Sequence, residues 1–449
     1  MARQLLVYTS YPCALSAFVS TSGEPGRGIA VPGITPEESD HSFWFYGLLE
    51  NRSYHYKVHL AGRPLEVVSE GDFSTPLLPD WVTRPDNLVR NPGAPDDWWV
   101  AMTINTDDHI FNLINIEVIY DREGRPRFYH AISDSADPDY SPISGLLVFQ
   151  SGDLALTDHF NIYGLRPDGA QSYFIPLHIM PPYLCRTHHQ FYIADENARQ
   201  AVILFNELGP GLKCDLTTPT DRAVGDGIAI VNRNGYETWR WSIFDHTDAV
   251  PPEAMDPSAC LQFHYGLDNY DWTHANAVVP VPGQAALLLS LRNTKRIIKI
   301  DLRTGDILWQ MGPELPDFTW VDNPAVEDPW FFMQHDIQIL EDGHLLLFDN
   351  GNCRFDDNCL AGPWSRALEM IVDEDAMTVT PVWEHRVPFS FARGSVERHA
   401  NGNTLINNGW TGNVVEVTPD GEEIWSADFR RPKVSTTRYY QATWNYFAE

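Results

Sequence analysis

Ile297-Ile298-Lys299-Ile300-Asp301-Leu302-Arg303-Thr304-Gly305-Asp306-Ile307-Leu308-Trp309 reads as a strand, a tight turn and a second strand ending in Trp. The β-branched run is too short for a helix, and the glycine marks the turn. The figure recurs along the chain. It appears around Arg122-Glu123-Gly124 and Pro167-Asp168-Gly169, and again from Arg233-Asn234-Gly235 to Trp239. A degenerate copy runs from Asp373-Glu374-Asp375 to Val382-Trp383, and a last copy from Pro419-Asp420-Gly421 to Trp425. With the opening copy, that makes six. One four-stranded sheet cannot bury both of its faces, whereas six arranged in a ring bury each other's and shield the edges. The expected fold is all-β, with a six-bladed β-propeller over residues 97–449. Trp239, Trp309, Trp383 and Trp425 are then packing between blades. Two insertions, Gly209–Asp226 and Thr247–Tyr270, are expected as loops over one mouth.

Working outward, residues 1–78 alternate short strand-like runs with turn clusters. The run Leu48-Leu49-Glu50-Asn51-Arg52-Ser53-Tyr54-His55-Tyr56-Lys57-Val58 resembles the late strands of a fibronectin-type-III module, so an N-terminal β-sandwich is expected there. Residues 79–96 are rich in Pro and Asp and read as a linker.

The 449 residues carry a formal charge of −30, which argues against nucleic acid and anionic lipid as partners. No apolar run approaches membrane-spanning length, and Met1-Ala2-Arg3-Gln4 leads straight into a strand rather than a signal sequence. A cytoplasmic location is expected if the chain is complete. Of the six Cys, only Cys353 and Cys359 lie close together, as either a disulfide clip or two free thiols. No zinc-ligand spacing accompanies them, and no metal is expected.

The first strand of each propeller blade lines the central channel. Three blades in succession start with histidine: Arg186-Thr187-His188-His189-Gln190, then Asp271-Trp272-Thr273-His274-Ala275-Asn276, then Gln334-His335-Asp336-Ile337. Arg292 follows in Ser290-Leu291-Arg292-Asn293. Three such histidines point to a shared site better than to coincidence. Taken singly, each has a plain alternative: His335 bonding a backbone carbonyl, His274 capping a strand, Arg292 pairing with Asp271 or Asp301. Asp336 either orients His335 or holds two blades together. Asp349 and Asn350 are candidates for anchoring the Cys353 loop.

In the joint order of these motifs the sequence resembles the aryl-sulfate sulfotransferase family, the propeller enzymes that use no nucleotide sulfate donor. The resemblance runs from about residue 97 to the end and rests on Trp272-x-His274-x-Asn276, Ser290-x-Arg292-Asn293, Gln334-His335-Asp336, Phe348-Asp349-Asn350-Gly351 and Asn401-Gly402-Asn403-Thr404-Leu405. It implies that His335 is the nucleophile that becomes sulfated. It implies that His274 and Arg292, with Asn276, bind the sulfuryl oxygens and assist the leaving phenolate. Asn293 and His188 are expected beside the substrate, and His189 as a further catalytic histidine. It further implies no cofactor, a small-molecule aryl sulfate as donor, a phenol as acceptor, a Cys353–Cys359 disulfide, and a periplasmic or secreted location. The oligomeric state is open, a homodimer being one expectation.

The chemistry suits the residues. A neutral imidazole can attack sulfur in line with a leaving phenolate, and a covalent intermediate predicts ping-pong kinetics. Fixed donors stabilise the sulfuryl oxygens, and a second histidine can carry the phenol's proton. A competing reading keeps the fold as a non-catalytic binding or assembly scaffold, which has no need of three channel histidines and an arginine. A quinone-dependent dehydrogenase fits less well, because six copies are too few for its usual propeller.

Overall fold

The computed structural model describes residues 3–441 except 22–28, 31–37, 46–47, 80–81, 83, 92–93, 95–97, 106–113, 134–144, 150–152, 158–160, 167–170, 179–186, 194–199, 214–216, 255–270, 314, 325, 327–328, 355–361 and 430–432. The described chain is all-β apart from two short 3-10 helices, Ile243–His246 and Pro252–Ala254. None of its helices is long and apolar enough to cross a membrane.

The described copies of the turn figure join the third and fourth strands of an antiparallel sheet; Pro167-Asp168-Gly169 lies outside the described residues. The fourth copy shows the pattern: Ala275–Pro280, Ala286–Leu291, Arg296–Asp301 and Ile307–Met311 pair in sequence order. Its middle strands are buried along most of their length, which is why they read as nearly continuous apolar runs. The turn needs a left-handed residue. Gly305 supplies it with φ 81°, while in the degenerate copy Met377 takes φ 52°.

Six sheets contain at least four strands each from residue 87 onward. Their innermost strands touch in order. Thr187–Ile193 meets Ala275–Pro280, which meets His335–Ile339, then Ser395–Arg398, then Lys433–Gln441, then Leu146–Val148. Gly145, just before Leu146, lies against the His189 carbonyl and Phe191, which returns the series to its start. The C-terminal strand Lys433–Gln441 pairs with Trp98–Asn105, so one sheet is built from both ends of this region.

Tryptophans tie neighbouring sheets at their outer strands. Trp241 Nε1 donates to Gly305 O at 2.9 Å, Trp383 Nε1 to Pro419 O at 3.0 Å, and Trp425 Nε1 to Arg122 O at 2.9 Å. Each reaches the turn of the next sheet, and the last links the final sheet to the first. In the third sheet the tie comes from Trp241, two residues beyond the Trp239 singled out by sequence.

Two segments differ from their sequence reading, and a third lies mostly outside the described residues. Gly209–Asp226 is no loop at its ends: strands Gln200–Leu212 and Pro219–Asn232 run through them as one long hairpin. Of Thr247–Tyr270, residues 255–270 lie outside the described residues. The segment 79–96 contains the strand Asn87–Arg90, which pairs with Glu423–Asp428 as an added outer strand.

The N-terminal region forms two sheets, Arg3–Cys13 with Glu38–Phe45, and the set Ile29–Ala30, Leu15–Thr21, Ser53–Leu60 and Arg63–Ser74. Its core is shared. Val19, Phe45 and Val58 belong to one apolar cluster with Trp99, Ile119 and Leu154 of the following sheets. The region is therefore buried against its neighbours rather than tethered loosely to them.

Candidate active site

His335 opens its strand, and the peptide before it is clamped from the adjacent sheet. Asn276 Nδ2 donates to the Gln334 carbonyl at 2.6 Å. The buried Gln334 side chain donates back to Ser290 Oγ at 3.0 Å and to the Arg296 carbonyl at 2.8 Å. Met333 and Asp336, on either side of His335, both sit in the left-handed region (φ 55° and 49°), as do His189 (54°) and His274 (48°). Each such residue costs about 1–2 kcal/mol. Strain of this kind concentrates where side chains must be aimed at a site.

The tautomer of His335 follows from its neighbours. Asn350 Nδ2 donates to two carbonyls, Ser390 O at 3.0 Å and Arg393 O at 2.8 Å. That fixes its amide so that Oδ1 faces His335 Nδ1 at 2.7 Å, with the Met333 carbonyl at 3.2 Å. Both partners are acceptors, so Nδ1 carries the hydrogen and Nε2 keeps its lone pair. Burial, with the Arg292 charge and His274, holds the imidazole well below its usual pKa, against the opposing bond to Asn350. The ring is therefore neutral at ordinary pH, with its lone pair at Nε2.

The other two histidines stand close by. His189 lies 4.8 Å from His274 and 6.4 Å from His335, between ring centroids. Burial and the surrounding His274, His188, His335 and Arg292 push His189 well below the usual imidazole pKa as well. His274 Nδ1 bonds Asp271 Oδ2, while Asp271 Oδ1 takes the His274 backbone N–H at 3.2 Å.

Arg292 is fully buried. Its guanidinium donates to Asn293 Oδ1 at 2.8 Å and to the Phe391 carbonyl at 3.2 Å. Asn293 in turn donates to the Asp271 carbonyl at 2.8 Å. The structure thus places Asn293 behind Arg292 as its support. His188 also sits one layer back, its Nδ1 against His189 Nδ1 at 2.9 Å.

A cavity of about 50 Å³ lies where the inner strands meet. It is lined by His335, His189, Asn276, Leu146, Arg438 and, just ahead of Ser395–Arg398, Arg393, so the inner strands or their entries from all six sheets contribute. The Asn276 Oδ1 is buried without a hydrogen-bond partner among the described residues. Asp336 does not orient His335. It takes a two-pronged ion pair from Arg438, at 2.8 and 2.9 Å, the Val396 N–H at 2.9 Å and the Gln190 amide at 3.3 Å, joining four sheets.

Asn350 is the functional contact that sequence reasoning assigned to loop anchoring, and its signal was its place directly after the second strand of the His335 hairpin. Asp349 does anchor the loop, pairing with Arg354 and taking the Gly351 N–H at 3.1 Å, and it also bonds the Phe332 N–H and Arg366 Nε, each at 2.9 Å. Cys353 is disulfide-bonded. Cys359, its expected partner, lies outside the described residues. Among the described residues, one group offers three ligand atoms to a metal, Asp342, His344 and Glu369. Its Glu369 oxygens are already engaged by His344 and Arg398, each at 2.7 Å.

No curated protein matches the chain. Solved structures resemble it only distantly. A protein of unknown function from Bacteroides caccae shares 12% identity at TM-score 0.45, covering 76% of this chain and 99% of its own. A streptogramin B lyase shares 14% at TM-score 0.36 over 80% and 87%. The Myceliophteria thermophila Cps50 (Swd1) β-propeller domain shares 13% at TM-score 0.39 over 78% and 90%. Likeness at this level carries no argument about function. The family comparison is of another kind, because the arylsulfotransferase (ASST) family matches residues 103–446, the stretch that holds every histidine and arginine described above. The chain belongs to the arylsulfotransferase family.

Proposed function

We propose that this protein moves a sulfuryl group from an aryl sulfate to a phenolic acceptor through a sulfated His335, in two half-reactions on the axis of a six-bladed propeller. In the first, the His335 Nε2 lone pair attacks sulfur. The N–S bond forms as the S–O bond to the aryl group breaks, and the phenolate leaves. In the second, the oxygen of the acceptor phenol attacks the same sulfur as its proton passes to a neighbouring imidazole. The N–S bond breaks and its electron pair returns to the ring.

The observation that carries this reading is the Asn350 amide, locked by two carbonyls so that His335 must present a lone pair at Nε2. A structural histidine at a strand start needs no such lock. Arg292 and His274 are the donors suited to the sulfuryl oxygens, with Asn276 at the cavity wall. Cationic and imidazole groups gathered there offset the negative field of a chain with charge −30, so an anionic donor can enter.

The test is incubation with 4-nitrophenyl sulfate, with and without phenol. Nitrophenolate release that requires phenol in the steady state is expected from the wild type. His335→Ala should lose at least about 10⁴-fold, and a sulfated peptide containing His335 should be trapped without acceptor. A wild type that releases nothing with several phenols would leave the scaffold reading in front.

A further inference from the structure

Behind the cavity lies a buried file of three groups, Asp226, His188 and His189, that the proposed transfer does not yet use. Asp226 is fully buried at the centre of a donor set. Its Oδ2 takes the Thr273 hydroxyl and, at 2.6 Å, the Ala275 N–H; its Oδ1 takes Asn206 Nδ2 at 3.0 Å. That same Oδ1 is 3.1 Å from His188 Nε2, at ion-pair range though without settled hydrogen-bond geometry. His188 Nδ1 is 2.9 Å from His189 Nδ1. His189 lines the cavity beside His335.

We propose that Asp226 and His188 are positioning residues that set the tautomer of His189 and take over the acceptor phenol's proton from it. This rests on the sulfuryl-transfer reading above. The hydrogens follow by elimination. A carboxylate only accepts, so His188 Nε2, facing Asp226, carries a hydrogen. A neutral His188 then has a lone pair at Nδ1. Two nitrogens 2.9 Å apart need one hydrogen between them, and His189 Nδ1 supplies it. His189 Nε2 is left with the lone pair.

The file also answers an electrostatic difficulty. A proton resting on His189 is disfavoured by burial and by His274, His188, His335 and Arg292. A base so placed holds a proton poorly. In the file, His189 Nε2 accepts the phenol's proton as the phenol oxygen bonds to sulfur. His189 Nδ1 passes its own hydrogen to His188 Nδ1. The positive charge comes to rest on His188, against the Asp226 carboxylate, away from Arg292. Atoms balance: one O–H bond breaks, one N–H forms at each ring, one N–H breaks, and the charge moves one residue outward.

The two half-reactions separate this from a structural role. Asp226→Asn should slow the acceptor half-reaction with phenol about 100-fold, while the single-turnover release of nitrophenolate falls far less. The loss should shrink with acceptor phenols acidic enough to arrive as phenolates, which bring no proton. Nitrogen NMR of the wild type should show His189 protonated at Nδ1 and bare at Nε2, with that preference lost in Asp226→Asn. If Asp226→Asn does not fold, His188→Gln is read the same way. Equal losses in both half-reactions, a loss indifferent to acceptor acidity, or a hydrogen at His189 Nε2 in the wild type would overturn the proposal. A wild type without nitrophenolate release would remove the transfer reading itself. The NMR tautomer then decides the file alone.

Discussion

Arg438 lines the cavity with His335, whereas Arg292 acts on His335 and His189 through its charge; both guanidiniums are buried, and their partners differ. Arg438 grips the Asp336 carboxylate with two bonds, and its charge is spent on that pair. Arg292 donates to two neutral oxygens, from Asn293 and Phe391, among its partners, and its charge lowers the pKa of both His335 and His189. An arginine bound to a carboxylate fastens the fold; one bound to carbonyl-type oxygens keeps its field for the site. His335 and Asp336 repeat the contrast at adjacent positions. One aims at the cavity and the other at Arg438, because Asp336 sits in the left-handed region and the strand bulges there.

The contrast can be broken by experiment. Arg292→Gln should cost sulfuryl transfer about 10³-fold, with His335 titrating at higher pH than in the wild type. A variant with full activity would mean that the Arg292 charge is not used on the sulfuryl group. Asp336→Asn should do the reverse. It leaves the Arg438 charge buried without its counter-ion, which costs about 3 kcal/mol of stability, while the rate per folded molecule stays near wild type. Denaturant unfolding alongside kinetics separates the two, and an unchanged midpoint would remove the fastening role.

A smaller effect is expected at Asn350. Replacing it with Leu keeps the volume and removes the nearer of two acceptors at His335 Nδ1, leaving only the Met333 carbonyl at 3.2 Å to hold the lone pair at Nε2. Transfer should fall about 30-fold to 100-fold, and His335 should populate both tautomers by NMR. The smallest effect is in the pH profile. An ordinary imidazole nucleophile is half lost at about pH 6.5. His335 titrates well below that, so its lone pair stays available as pH falls through that value. The rate of the donor half-reaction should therefore stay flat there and decline only at more acidic pH. A midpoint near 6.5 would mean that burial and Arg292 do not act on the ring as described.

How much of this was legible in the chain depends on distance along it. The strand–turn–strand figure at Ile297–Trp309 is local: alternation, glycine and a tight turn need no information from elsewhere. The same holds for histidines at the starts of the Thr187, Ala275 and His335 strands. Asn293 was expected beside the substrate from the motif it shares with Arg292; in the structure its oxygen takes the Arg292 guanidinium and its nitrogen donates to the Asp271 carbonyl, contacts no local pattern could show. Asp226 drew no attention, being one of many acidic residues in a strongly acidic chain, next to a segment that read as a loop.

The sequence by itself determined that the chain is built of repeated four-stranded units and that imidazoles would stand at three successive inner strands, because strand period and turn chemistry act within a few residues. Only the tertiary structure decided which groups those imidazoles meet. Asn350 is fixed by carbonyls 40 and 43 residues away, Asp226 reaches Ala275 across 49, and Asp336 meets Arg438 across 102. Such contacts are set by how the sheets close on one another. A hydrogen on one side of His335 rather than the other is decided there, by the amide that packing turns toward it.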